Sequence, residues 1–525
     1  MSDPFAASAI GRASHEAWRV HAGGDVPPGL GEGTLARSFH ETSAERGDVT
    51  ALTIEGESAT HAALDERAAR VAGWLRTRGV EPGDRVLLCA PNSIALVVAY
   101  LATLRTGAVA VPVGAGSTPP EIEQIASLAR PSVAFAGGRA LDAVRTIAAG
   151  SWTVVDLSPG GIGDVEAAGE AIDPVDVPAS ATALLAFTSG TTGLPKGVPL
   201  SNTNLLSSIR AAMLAWRWDA DDTLVHALPM SHQHGLGGVH ATLLAGSRAV
   251  IHSRFDPGPL AGAVEAERAT IMFAVPAIYR RLVDDPAVRT PSFASLRLAI
   301  SGSAPLSPAL FGRAAEFLGT EPLERYGTTE TGLDTSNPYE GSRKPGTVGL
   351  PLPGVESAIS GPDGEPLEAG ENGEIVFRGP QVFGGYADPK DSVSAFYPGG
   401  WFRTGDIGRV DPSDGFLTIT GRAKEVIITG GLNVYPREVE LALETHPGVE
   451  AAAVVGVPSE RWGEEVVAFV VASSIAGPSD DELSAFARER LAAYKCPKRV
   501  LSVDELPVNA MGKLDRRRLR ELAGS

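Results

Sequence analysis

Leu184-Leu-Ala-Phe-Thr-Ser-Gly-Thr-Thr-Gly-Leu-Pro-Lys-Gly-Val198 is the stretch that decides how the rest of the chain is read. Its first four residues, Leu184 to Phe187, are an apolar run of the kind that makes a short buried strand. The run empties into Thr188 to Pro195, which holds four hydroxyls and two glycines, and Lys196 follows. Gly190 and Gly193 let the backbone turn tightly and aim successive N–H groups at one point. Thr188, Ser189, Thr191 and Thr192 add hydroxyl donors, and Lys196 adds a mobile positive charge. These are the parts of a polyphosphate cradle. The P-loop pattern, Gly-x-x-x-x-Gly-Lys-Ser/Thr, fails on spacing: Gly190 is followed by Gly193, Lys196 precedes Gly197, and Val198 stands where a metal-binding hydroxyl belongs. A plain Ser/Thr/Gly turn is the default for such a composition; the strand before it and the lysine behind it argue otherwise.

At 525 residues the chain is too long for one core, so two or more domains are expected. The formal charge of −18 argues against a nucleic-acid or anionic-membrane partner, while leaving room for a local basic pocket. Cys89 and Cys496 lie far apart, which offers no disulfide framework and no CxxC metal site and points to a cytoplasmic protein. Met1 to Val20 lacks the apolar core of a signal peptide. The greasiest segment, Ile94 to Val113, is interrupted by Arg105 and Gly107. It reads as a buried helix, Ile94–Leu104, and a strand, Ala108–Val113, rather than a membrane span.

Around the opening stretch, helical patterns alternate with short apolar runs. Helices are expected at Ala62–Arg78, Ile94–Leu104 and Pro120–Leu128, with strands at Arg85–Cys89, Ala108–Val113 and Ser132–Ala136. Further strands are expected at Leu224–Leu228, Ile271–Ala274 and Leu296–Ile300. The pattern predicts an α/β fold with a largely parallel sheet. Ser301-Gly-Ser-Ala-Pro305 and Arg325-Tyr-Gly-Thr-Thr-Glu-Thr-Gly332 are two more tight turns after apolar runs. Ligands of open α/β sheets collect at such strand ends, so all three turns point to one pocket. From about Gly346 to Gly421 the texture is β-like, with strands at Gly373–Phe377 and Phe416–Ile419. The last hundred residues read as a small α+β unit: a helix at Arg437–Glu444, strands at Ala451–Val457 and Val466–Ala472, and a helix opened by the capping box Ser479-x-x-Glu482. The break is placed near Gly421–Lys424, giving domains 1–421 and 422–525. The first thirty-odd residues read as a loosely packed arm.

Five segments then acquire a common meaning. Phe187-Thr-Ser-Gly-Thr-Thr-Gly-Leu-Pro-Lys-Gly197, Tyr326-Gly-Thr-Thr-Glu330, Trp401-Phe-Arg-Thr-Gly-Asp406, Gly421-Arg-Ala-Lys424 and Asn509-Ala-Met-Gly-Lys513 resemble, in order and spacing, the motifs of the adenylate-forming superfamily of acyl-CoA synthetases. The resemblance implies a large N-terminal domain of layered α/β subdomains with a β-rich subdomain, followed by a small mobile C-terminal domain. It implies ATP, Mg²⁺ and coenzyme A as cofactors and a small carboxylic acid as partner. In that family the Thr188–Gly193 loop (Thr188, Ser189, Gly190, Thr191, Thr192, Gly193), with Lys196, holds the outer phosphates, and Glu330 ligates Mg²⁺. The turns Gly302-Ser303-Ala304 and Arg325-Tyr326-Gly327-Thr328-Thr329 flank the nucleotide. Asp406 takes the ribose hydroxyls with Arg422 beside it. Lys513 is the adenylation lysine, Lys424 the hinge, and Thr429-Gly430-Gly431 the lining of the pantetheine tunnel.

Within the superfamily the look is to malonyl- and methylmalonyl-CoA synthetases, carried by His232-Gln-His-Gly-Leu236, Val275-Pro-Ala-Ile-Tyr-Arg-Arg281, Ser301-Gly-Ser-Ala-Pro305 and Glu324-Arg-Tyr-Gly327. There the resemblance makes Arg281 the grip on the distal carboxylate of a dicarboxylate and His232 the gate of the acyl pocket, with Ser301 in its wall. Thr328 departs from the methionine usual in that group, and Ser231 from an aromatic. Both changes make the pocket roomier or more polar. The alternatives are a ligase for an aryl acid, oxalate or another small carboxylate, an enzyme passing acyl-AMP to a carrier protein or another nucleophile, and a non-catalytic nucleotide-binding scaffold.

Overall fold

The computed structural model describes Phe5 and residues 10–189, 195–459, 461–473, 477–508 and 514–524. Two sheets carry the large domain. In the first, Pro322–Tyr326, Leu298–Ser301, Ile271–Ala274 and Thr223–His226 lie side by side and parallel. Arg248–Ile251 and Thr50–Ile54 extend it in parallel, and short antiparallel strands close both ends. The turns after His226, Ala274, Ser301 and Tyr326 therefore leave the sheet along one edge, where open parallel sheets gather ligands.

In the second sheet Thr153–Asp156, Val133–Ala136, Arg85–Cys89, Val109–Pro112 and Thr182–Ser189 run parallel. Pro195–Ser201 folds back antiparallel on Thr182–Ser189, pairing Thr188 with Lys196 and Ser189 with Pro195. The stretch that opened the reading is thus a β-hairpin, with Lys196 in its returning strand. Residues 190–194, including Gly190, Thr191, Thr192 and Gly193, lie outside the described residues, as does Lys513.

The helix Ile94–Arg105 is buried along its whole length. A helix that is apolar on every side has to be core, which explains the greasy segment without a membrane. Ser93 starts it by accepting a hydrogen bond from Leu96 N at 3.1 Å. Among the described residues no helix is long and apolar enough to cross a bilayer. Ser201 and Asn204 form a capping box for Asn202–Ala215, and Asn204 Nδ2 also donates to Pro380 O and Val382 O at 2.9 and 2.8 Å. That bond ties the α/β layers to an antiparallel sheet of Glu356–Ser360, Gly373–Arg378, Phe396–Tyr397, Trp401–Val410 and Leu417–Arg422.

Among the described residues, the strands beyond Arg422 pair only among themselves, in a sheet built on the antiparallel pair Val449–Ser459 and Gly463–Ala472. This unit has its own core, with Val439, Leu443, Val454, Val466 and Leu483 buried together. It docks on the large domain through Glu450: Arg280 Nε lies 2.9 Å from Glu450 Oε1, and Ser307 Oγ donates to Glu450 O at 3.1 Å.

The N-terminal arm departs from expectation. Residues Ile10–Ala22 form a helix whose Trp18 Nε1 donates to Val355 O at 2.8 Å and whose His21 Nε2 bonds Leu350 O at 3.1 Å. Its buried face is Ser14, Ala17 and His21. Small and polar residues at that helical spacing leave no apolar stripe to read, so the periodicity was invisible in the sequence.

His21, His226 and His240 are each almost wholly enclosed, and burial holds their imidazoles down to about 4, about 3 and about 3. The unfolded chain binds these protons near the ordinary histidine value and the folded one does not. The stability they protect is therefore present above about pH 6.5 and lost as pH falls through it, by up to about 1.4 kcal/mol per group per pH unit. Calorimetry from about pH 7 to about pH 5 should show a falling thermal midpoint; a flat one contradicts neutral burial.

Candidate active site

Four strand ends and a hairpin meet here. Tyr326, at the end of Pro322–Tyr326, donates its hydroxyl to Asp406 Oδ2 at 2.6 Å. Arg422 Nε lies 2.9 Å from Asp406 Oδ1. Asp406 is 4% exposed, so both oxygens are enclosed and held as acceptors. Burial first, then the Asp406 charge, keep the Tyr326 phenol well above its ordinary value and hence a donor. The Asp406 charge likewise raises the Arg422 guanidinium.

The hairpin reaches the same place by a different route. Lys196 Nζ lies 3.0 Å from Asp391 Oδ1 and 5.0 Å above the Tyr386 ring, and the Tyr386 hydroxyl donates to Glu330 Oε1 at 2.9 Å. Phe383 N donates to Glu330 O, and Ala387 N to Gly197 O. The base of the Thr188–Lys196 hairpin and the Glu330 carboxylate are thus joined through the segment around Tyr386. Nothing in the sequence flagged Tyr386, because its role depends on two partners far away in the chain.

The turn from Tyr326 to Gly332 is internally braced. Thr328 N donates to Thr331 Oγ1 at 3.2 Å, and Gln233 Nε2 donates to Thr329 O at 2.6 Å, tying the turn to helix Gln233–Ala245. His232 is the exposed N-cap residue of that helix. The next-but-one residue, His234, points inward: its Nδ1 lies 3.2 Å from Ser303 Oγ and its ring centroid 5.2 Å from Phe273. Burial, reinforced by the Arg325 charge, holds His234 well below the ordinary histidine value, so it is neutral. Ser303 has φ +69°, a left-handed backbone that carries the turn after Ser301. Ser301 is fully buried, with its hydroxyl unpartnered among the described residues.

Between these pieces lies a cavity of about 40 Å³, lined by Leu184, Trp216, His234, His240, Phe273 and Arg325 among others. Arg325 is 9% exposed. Arg281 is elsewhere: it sits on the exposed side of helix Pro276–Asp284, with its guanidinium 4.7 Å over the Phe255 ring. Lys424 is exposed in the short turn Ala423–Glu425. Thr429, Gly430 and Gly431 belong to a tight hairpin in the small domain, where φ values of +58° and +80° give the two glycines a backbone reason of their own.

Asp334 lies behind the turn, enclosed and accepting hydrogen bonds from Thr331 Oγ1 and, at 3.1 Å, from Gln381 Nε2. Burial pushes its carboxyl up to about 7. The folded state therefore holds this proton where the unfolded chain has lost it, and stability is lost as pH rises toward and through 7. Asp334→Asn removes that cost, and its amide can donate to Gln381 Oε1, which has no partner among the described residues. The variant should match the parent near pH 5.5 and exceed it by about 1 to 3 kcal/mol near pH 8.5 in urea unfolding. A variant equally destabilised at both values contradicts this account.

A model described as AMP-binding enzyme matches residues 39–387, and one described as AMP-binding enzyme C-terminal domain matches residues 438–513. Feruloyl-CoA synthase of Amycolatopsis sp is 37% identical over 483 residues, covering 90% of this chain and 96% of that protein. Oxalate–CoA ligase of Arabidopsis thaliana is 35% identical over 506 residues, covering 92% and 97%. The crystal structure of ATP-bound MatB from Rhodopseudomonas palustris superposes with a TM-score of 0.86 at 38% identity, covering 93% of this chain and 98% of that one. The chain belongs to the AMP-binding enzyme family, in its adenylate-forming acid–CoA ligase (acyl-CoA synthetase) branch.

Proposed function

We propose that this enzyme joins a small dicarboxylic acid, of the malonate or methylmalonate type, to coenzyme A at the expense of ATP. The observation that carries the reading is the size of the cavity. At about 40 Å³ it is small, which suits a compact acid better than an aryl-propenoyl one. An aryl acid would have to displace Trp216 or Phe273 from the wall. The cavity also holds a buried cation, and no carboxylate lines it, which favours an anionic tail over a neutral one.

In this reading a carboxylate oxygen of the acid attacks the α-phosphorus of ATP, the bond to the β-phosphate breaks, and pyrophosphate leaves. The sulfur of coenzyme A then attacks the acyl carbon and AMP leaves, the thiol proton passing to solvent. Two anions meet in the first step, so catalysis is chiefly positioning and cationic stabilisation. The Thr188–Gly193 segment and Lys196 hold the leaving phosphates, and Lys513 bridges the acid and the α-phosphate. Asp406 meets the ribose: its oxygens already accept from Tyr326 and Arg422, and a carboxylate has further lone pairs for two hydroxyls. Gly302–Ala304 and Tyr326 flank the base, Lys424 is the hinge, and the Thr429–Gly431 segment admits the thiol.

Among the described residues no group of three or more His, Cys, Asp or Glu side chains is set to hold a metal ion. A single carboxylate, Glu330, fits Mg²⁺ nonetheless, because that ion is commonly held by one or two carboxylates and the substrate's phosphates. When bound, it would neutralise charge on the leaving pyrophosphate.

Pyrophosphate release and acyl-CoA formation, followed together over a panel of acids, test the reading. Malonate or methylmalonate should exceed ferulate in kcat/KM by at least about tenfold, with one CoA consumed per pyrophosphate. Pyrophosphate without CoA consumption selects another acyl acceptor. Lys513→Ala should lower pyrophosphate release by at least about a hundredfold, and unchanged release would refute the adenylation role.

A further inference from the structure

The strand Pro195–Ser201 carries a single charged residue, Lys196, and a carboxylate of this chain meets it. Lys196 Nζ lies 3.0 Å from Asp391 Oδ1. Asp391 is placed there by its backbone. Asp388 caps the short helix Pro389–Ser392, its side chain accepting from Lys390 N at 3.0 Å, and Asp391 N donates to Asp388 O at 3.0 Å. Ser392 Oγ accepts from Tyr386 N at 2.8 Å, which closes the segment on itself. Ala387 N donates to Gly197 O at 2.8 Å and fastens that segment to the lysine's own strand. Gly197 permits the approach: a Cβ there would stand 3.0 Å from Ala387 Cβ and 3.3 Å from Leu185 Cδ1. Two segments far apart in the chain are thus pressed together, with a lysine on one and an aspartate on the other.

The pair is built to exchange. The Lys196 and Asp391 side chains are 24% and 33% exposed, so water reaches both and either can change partner. The Tyr386 ring lies 5.0 Å below the ammonium, and its hydroxyl donates to Glu330 Oε1 at 2.9 Å. Burial, then the charge and hydrogen bond of Glu330, then the charge of Asp391 raise the Tyr386 phenol above its ordinary value, so it stays a donor. Both carboxylates act on one tyrosine, and one of them holds the lysine. A polyphosphate brings several negative charges to the same ammonium. It competes with Asp391 for the cation and is repelled by the carboxylate it displaces.

We propose that Asp391 is a positioning residue that competes with the outer phosphates for Lys196, weakening the hold on ATP and pyrophosphate but not on AMP. The assignment rests on the reading of Lys196 as a phosphate-binding residue given above. Its consequence is directional. ATP binds less tightly than an unpaired Lys196 would allow, and pyrophosphate is released more readily once its bond to the α-phosphorus has broken. Weak retention of pyrophosphate opposes the reverse reaction, in which a pyrophosphate oxygen attacks that phosphorus and the carboxylate oxygen of the acid leaves. Acyl-AMP is spared, because Asp406 and Tyr326 are assigned to its ribose and base and it has no outer phosphates.

Equilibrium binding of a non-hydrolysable ATP analogue, inorganic pyrophosphate and AMP, each with and without Mg²⁺, compares wild type with Asp391→Asn, Asp391→Glu and Lys196→Gln. Asp391→Asn should bind the analogue and pyrophosphate about three- to tenfold more tightly, with AMP within about twofold of wild type. The gap should narrow at high salt, where screening weakens both the pair and the repulsion. Asp391→Glu keeps the charge and should stay within about threefold of wild type for every ligand. Lys196→Gln should weaken the analogue by about tenfold or more and leave AMP within about twofold. If Lys196→Gln leaves the analogue unchanged, the phosphate role of Lys196 and this assignment fall together. With Lys196→Gln as expected, the Asp391 assignment alone falls if Asp391→Asn leaves the analogue unchanged or tightens AMP equally. Weaker binding of the analogue by Asp391→Asn, with Mg²⁺ or without it, likewise overturns it. Asp391→Ser, equally neutral, should repeat the Asp391→Asn result, and it decides the matter if the amide variant does not fold.

Discussion

Asp406 is the point on which the architecture turns. It belongs to the antiparallel sheet, accepts from Tyr326 of the parallel sheet, and pairs with Arg422, the last residue before the small domain. One enclosed carboxylate thereby joins the end of the parallel sheet to the antiparallel strand pair from which the small domain departs. Charge-assisted bonds in an enclosed place are short and directional, so they set angles as well as distances. The position of the small domain relative to the strand ends is consequently tied to the same carboxylate that we assign to the ribose.

Polarity in the pocket is arranged by what is left unpaired. His234 and His226 are held neutral by burial, Asp334 is braced by Thr331 and Gln381, and only Arg325 stays charged without a described partner. Neutral neighbours neither quench the arginine nor repel an incoming anion. The wall on the other side is Trp216 and Phe273, with ring centroids 5.9 Å apart in an edge-on contact. Packed aromatics and a buried cation therefore share the lining of one small cavity. Both features bear on the small dicarboxylate proposed above.

The small domain is attached by polar contacts. Glu450 is gripped by Arg280 and by the Ser307 hydroxyl, and within the domain Arg437 is buried between Glu440 and Glu444. A buried, satisfied ion cluster defines a helix position more than it adds stability. The exchangeable contacts lie at the boundary, and the connecting segment around Lys424 is exposed. Contacts of that kind are ones that water can replace.

The sequence by itself determined the layered α/β class, the bounds of those helices and strands it placed to within a few residues, and the five motifs, because hydrophobic period and turn chemistry are local properties. Arg85–Cys89 and Ile271–Ala274 were legible residue for residue. It did not reveal the N-terminal helix, whose buried face is Ser, Ala and His, nor the strand Pro195–Ser201, whose glycine and proline disguise it. Tertiary structure alone decided which arginine enters the pocket. Arg280, Arg281 and Arg325 carry the same charge in the sequence. Only packing put the first on Glu450, the second on Phe255 and the third, beside a glycine, in the enclosed wall of the cavity. The cost of an unpaired charge depends on its surroundings, and those surroundings are assembled from strands distant in the chain.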